Sequence, residues 1–245
     1  VVFAVVLTAV FVVVRAHVYY DWPVLNAADW NRRDAFMTWP RLAAGAACLA
    51  AMAAWGGLRR WGVRRNATAA GLALLAAAGA GIVSANLGFG PGAATGAQVA
   101  QALWTTVPVA LWEEACYRGL LYRGLRADLS PLAAASGSST FFMLMHYQAQ
   151  ATYFWPWIFA YGLAACAAAE SGTGLPWLVF AHWTCDVLVA ALARVPDASA
   201  VAFSQCYMGA VFLAAAYLLW AKRPRTKAGL GPRTRGNDGP SGAML

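Results

Sequence analysis

Apolar residues run in long blocks separated by short polar stretches. A hydrocarbon core about 30 Å thick takes about 20 helical residues to cross, and blocks of that order predict eight helices, at 1–20, 41–58, 67–87, 97–121, 132–147, 154–169, 175–192 and 200–221. The fifth and sixth are short, which fits tilt or burial within a bundle. Between the first two, residues 21–40 mix Trp22, Trp30, Phe36 and Trp39 with Asp and Arg, the pattern of an interfacial helix; a plain extramembrane loop is the alternative. From Lys222 the chain is rich in Gly, Pro, Arg and Lys with little to bury, which predicts a disordered cytoplasmic tail. With no internal repeat or second domain in view, the expected organisation is one transmembrane domain, 1–221, with its chemistry in 97–192, and a tail, 222–245. The predicted fold class is all-α: a polytopic membrane bundle of about eight transmembrane helices with the active site inside it.

Composition agrees. Of 245 residues, 61% are hydrophobic and 11% charged, against roughly 25% charged in a soluble domain, and the mean hydropathy is +0.53. The net charge of +8 does not indicate nucleic acid, because the basic residues form short clusters beside apolar spans. Arg59, Arg60, Arg64 and Arg65 follow the second span, Arg123 and Arg126 follow the fourth, and Lys222, Arg223, Arg225 and Lys227 begin the tail, whereas the connections 88–96 and 148–153 carry no charge. The positive-inside rule then places both termini in the cytoplasm. The bias toward Ala, Gly and Arg suggests a GC-rich bacterium, hence a bacterial inner membrane. The first span lacks the basic start and cleavage site of a signal peptide and is expected to be a retained helix. Cys48, Cys116, Cys166, Cys185 and Cys206 stand singly in apolar stretches, implying neither a disulfide scaffold nor a zinc knuckle.

Seven of the ten acidic residues (Asp21, Asp29, Asp34, Asp128, Glu170, Asp197 and Asp238) fall in predicted loops, ends or the tail. The other three lie within spans, where a charge costs roughly 2.5–3.5 kcal/mol on insertion scales and calls for a pairing or functional reason. The fourth span contains Glu113, Glu114 and Arg118, the fifth ends with Phe142 and His146, and the seventh contains His182 and Asp186. Helical spacing puts Glu114 and Arg118 on one face and turns Glu113 away by about 100°, so one carboxylate can be tied up while the other faces a cavity. His182 and Asp186 share a face, and Phe142 lies one turn before His146. The set suits water activation, with a buried glutamate as general base and histidines donating to a developing oxyanion. It also suits a divalent metal such as zinc, held by Glu113, His146, His182 and Asp186, although the one-helix HExxH spacing is absent. A buried relay of a proton-coupled transporter is a rival reading, but no matching repeats are visible. Trp104, Trp112, Trp155, Trp157, Trp177 and Trp183 are expected to be interface anchors or packing residues, and Cys116 and Cys185 packing residues rather than nucleophiles.

The three motifs in this order, EExxxR, FxxxH and HxxxD, resemble the CAAX prenyl protease and bacteriocin-processing (CPBP, or Abi) family of intramembrane peptidases. The resemblance runs from about Ala97 to Leu192 and includes the small-residue turn from Ser171 to Pro176. It implies that Glu113 and His146 activate water, that His182 and Asp186 line the oxyanion side, and that Glu114, Arg118 and Phe142 support the site. Family members include endopeptidases acting after a lipidated cysteine, bacteriocin maturation or immunity proteins, and enzymes that process C-terminal sorting signals. The implied partner is a membrane-associated protein or peptide, lipidated or with such a signal. Both glutamic and metal-dependent mechanisms have been discussed for the family, and no cofactor is fixed by the motifs. A non-catalytic scaffold or immunity protein of the same fold is the alternative. Where relatives often carry Asn, this chain has Asp186, and an ionised Asp cannot donate to an oxyanion; the alternatives for Asp186 are a protonated carboxyl, orientation of His182 or a share in binding a metal.

Overall fold

A computed structural model describes residues 1–21, 27–85, 95–146, 155–192 and 198–222. Among them the chain is helical, with no strand: α1 Val2–Asp21, α2 Ala27–Ala54, α3 Ala69–Ala85, α4 Gly96–Glu113, α5 Pro131–Leu144, α6 Trp155–Glu170, α7 Leu175–Leu192 and α8 Ala198–Ala221. Leu175–Leu192 and Val201–Ala221 are long and apolar enough to cross a membrane by themselves; the apolar segments Val2–Val14 and Ala69–Ser84 are shorter. The expected tail, from 223 onward, and most of the uncharged connections lie outside the described residues.

Two expectations change. The expected interfacial element is not separate, because residues 27–40 form the first turns of one 28-residue helix that runs through Pro40; residues 22–26 are outside the described set. The fourth span is not α-helical throughout, because at Glu114 it passes into a π-helix, Glu114–Tyr122, before a last α-turn, Arg123–Leu125. All nine residues of the π segment are buried. Its i→i+5 hydrogen bonds widen the turn, and such segments are frequent at functional sites.

Local chemistry fixes the ends of the helices that carry the site. Thr95 and Gln98 form a capping box at the start of α4, satisfying donors that the first turn leaves open. Ser130 caps α5, with Pro131 in its first turn. At the end of α6, Thr173 N donates to Ala168 O (3.0 Å) and Gly172 N to Ala169 O (3.1 Å). With Gly172 at φ 100°, this is a Schellman closure, in which glycine takes the left-handed position without steric cost. Gly174 then donates to Asn66 O at 2.8 Å, and a Cβ there would collide with the Arg64 carbonyl. Leu175 N binds Gly62 O (2.8 Å), and Arg123 lies against Gly62. The basic turns after α2 and after the α4 rod therefore sit at one end of the bundle, as their charge suggested.

The sixth predicted span is short because it is internal. From Ala160 to Ala169 every residue of α6 is buried, and seven of these ten are Ala or Gly. Small side chains let backbones approach closely where lipid offers no hydrophobic drive; Gly162 abuts Ser139 of α5. Helices α3, α5 and α8 pack around α6, while α4 packs on α2 and α7. Within α4, Pro108 cannot donate a backbone bond, and one turn below it Trp183 Nε1 of α7 donates to Leu103 O at 3.0 Å. These contacts bring the motif-bearing parts of α4, α5 and α7 together beside α6.

Candidate active site

Glu113 and Glu114 straddle the change from α to π helix. Glu114 is fully buried; its Oε1 lies 3.1 Å from Arg118 Nη1 and accepts from His182 Nδ1 at 2.8 Å. Glu113 turns the other way, and its Oε2 lies 3.9 Å from His146 Nε2 and 3.7 Å from His182 Nε2. Asp186 Oδ1 is also 3.7 Å from His182 Nε2. The four residues singled out for chemistry are thus brought together, and so are their three expected supports.

The hydrogen bonds orient both imidazoles. A carbonyl can only accept, so the 2.8 Å contact of His146 Nδ1 with Phe142 O puts the proton on Nδ1 and leaves Nε2 toward Glu113. For His182 the carboxylate of Glu114 imposes the same assignment. Both Nε2 atoms therefore face the same Glu113 oxygen, at separations beyond a direct hydrogen bond. Phe142 buttresses the arrangement: Arg118 Cζ stands 4.1 Å from its ring centroid, a cation–π contact, and its edge packs on His146 (4.8 Å) and His182 (6.0 Å).

His146, His182 and Asp186 line a cavity of about 130 Å³ together with Phe142, Trp157 and Tyr161. His146 lies in the turn just past α5, and Asp186 keeps 29% of its side chain exposed, so both present polar atoms to this space. Two imidazoles with carboxylates are donors of the zinc type, yet among the described residues no group of three His, Cys, Asp or Glu is placed to hold a metal ion.

The same segment is recognised by comparison with known proteins. Residues 95–188 match the family model described as type II CAAX prenyl endopeptidase Rce1-like. This segment is similar to the Rce1-like family. The match starts at the Thr95 cap, ends two residues past Asp186, and agrees with the resemblance read from the three motifs. The Rce1-like family is one of membrane-embedded CAAX-type endopeptidases. No curated protein and no solved structure matches the chain.

Sequence reasoning missed two features. Glu114 was expected mainly to hold its helix through Arg118; it also orients His182, an interhelical contact between residues 68 apart that no single-helix spacing reveals. Trp157 and Tyr161, in an Ala-rich stretch without a motif, line the cavity. Cys116 and Cys185 are buried, in keeping with packing roles.

Proposed function

We propose that the protein is an intramembrane endopeptidase that hydrolyses a peptide bond near the membrane in a lipid-anchored or signal-bearing protein, with water activated by Glu113 and His146. The observation that carries this reading is the pair of Nε2 atoms turned on one Glu113 oxygen, each imidazole held by its own Nδ1–H bond. A water between them meets a carboxylate and an imidazole lone pair, both able to take its proton. Its oxygen bonds to the substrate carbonyl carbon, and the carbonyl π pair moves to oxygen. His182, protonated on both nitrogens and held among the carboxylates of Glu113, Glu114 and Asp186, donates Nε2–H to that oxyanion. Collapse of the tetrahedral intermediate reforms the carbonyl and breaks the C–N bond, and the proton taken from water passes to the departing amine. Burial of Glu113, His182 and the Glu114–Arg118 pair strengthens these interactions relative to water.

The site would lie in a bacterial inner membrane with both termini cytoplasmic, in accord with the basic clusters. The test is cellular: replacing the chromosomal copy with Glu113→Ala should cause one or a few membrane-associated proteins to accumulate uncleaved. An unchanged set of protein termini, with the variant present at parental abundance, would instead favour a scaffold or immunity protein.

A further inference from the structure

A buried hydroxyl normally finds a hydrogen-bond partner, and leaving one unsatisfied costs about 1–3 kcal/mol. Tyr161, on the internal helix α6, is 2% exposed, and its hydroxyl has no hydrogen-bond partner among the described residues. The side chain is not remote from the chemistry. It lines the same cavity as His146, His182 and Asp186, and its ring centroid is 5.3 Å from that of His182. Arg118 Cζ lies 5.9 Å from the ring, so Tyr161 and Phe142 flank the same guanidinium.

The cavity also needs what this hydroxyl supplies. Both Nδ1 protons are committed, that of His146 to Phe142 O and that of His182 to Glu114, which leaves His182 Nε2–H as the one imidazole donor for an oxyanion. Glu113 and Asp186, when ionised, only accept. None of the motif side chains facing the cavity is a hydroxyl or an amide. We propose that Tyr161 is a further catalytic residue, whose hydroxyl donates a hydrogen bond to the oxyanion formed at the scissile carbonyl, beside His182, in place of the donor that an ionised Asp186 cannot provide. This inference rests on the peptidase reading above. It explains why a partnerless hydroxyl is kept in a packed core: its partner is the substrate oxygen, and the bond is strongest when that oxygen carries charge, which lowers the barrier rather than the ground state.

The experiment compares the parent, Tyr161→Phe, Tyr161→Phe with Asp186→Asn, and Glu113→Gln, each purified in detergent. The probe is the membrane fraction of cells lacking the protein, and mass spectrometry follows the rate at which new peptide termini appear. Tyr161→Phe should lower that rate by roughly 10²- to 10³-fold, the cost of one oxyanion donor, with Tm unchanged or raised because the lost hydroxyl had no partner. Asp186→Asn brings back a neutral donor and should recover at least about tenfold in the Tyr161→Phe background. A Tyr161→Phe rate within a fewfold of the parent's, while Glu113→Gln is inactive, overturns the assignment and leaves the peptidase reading standing. A fall in Tm with no recovery by Asp186→Asn makes Tyr161 a packing residue and also overturns it. Absence of new termini with the parent protein overturns both.

Discussion

Glu114 Oε1 accepts from His182 Nδ1 at 2.8 Å while lying 3.1 Å from Arg118 Nη1, so one buried oxygen joins the ion pair of the α4 rod to the imidazole of α7. Glu114 is therefore both a structural and a positioning residue. Glu114→Gln keeps an oxygen for Nδ1–H but leaves the Arg118 charge uncompensated, which should destabilise the fold by about 3–5 kcal/mol. Turnover per folded molecule should also fall, by roughly tenfold to a hundredfold, the scale seen when the partner orienting a functional imidazole is lost. Thermal melts and cleavage rates on monodisperse fractions measure the two effects separately. Parental turnover in the folded fraction would confine Glu114 to stability.

Glu113 and His146 act on the same water in this account and should behave as one unit. His146→Ala alone should cost most of the activity, and adding Glu113→Gln should cost little more, since members of a catalytic unit are strongly non-additive. Multiplying losses in the double variant would show that the two act on separate steps.

Much of this site was legible in the sequence because each motif lies on one helix, where a spacing of four residues is a statement about faces. Glu114 with Arg118, Phe142 with His146 and His182 with Asp186 needed nothing more. What spacing could not supply was the relation between helices: which Glu113 oxygen faces both histidines, the bond from Glu114 to His182, and the arrival of Tyr161 from a helix without a motif. The π segment was illegible for a different reason. Its residues, from Glu114 to Tyr122, have the composition of a buried α-helix, and the altered hydrogen-bond pattern does not show in apolar periodicity. The joining of residues 27–40 to the second span escaped because Pro40 and the mixed Trp, Asp and Arg content read as a boundary.

Outside the spans, Glu170 closes the bundle end by accepting from Tyr122 Oη (2.7 Å) and Arg126 Nη2 (3.1 Å). Burial alone would raise its pKa, but the hydrogen bonds from Arg126 and Tyr122 outweigh it and hold the carboxyl below the usual range. A folded pKa below the unfolded one contributes stability that is present above the unfolded value, about 4.3, and is lost as pH falls through the folded value. Glu170→Gln should therefore cost about 1 kcal/mol at neutral pH, a modest figure for a partly exposed pair, and the gap from the parent should close in acid. A gap that persists undiminished at low pH would assign it to packing instead of charge.

The separations of 3.7 and 3.9 Å around Glu113 suit acid–base groups sharing a water, and among the described residues no ligand set is placed for a metal. A strong chelator should leave cleavage within about twofold of the untreated rate. Loss of activity restored by added zinc would show instead that Glu113, His146, His182 and Asp186 regroup around a cation.

In the proposed reaction Glu113 is the base. Glu113→Gln preserves side-chain volume and hydrogen bonding but removes basicity, so on purified protein with parental Tm the cleavage rate should fall by roughly 10²- to 10⁴-fold; a Glu113→Gln protein that cleaves at the parental rate contradicts the account.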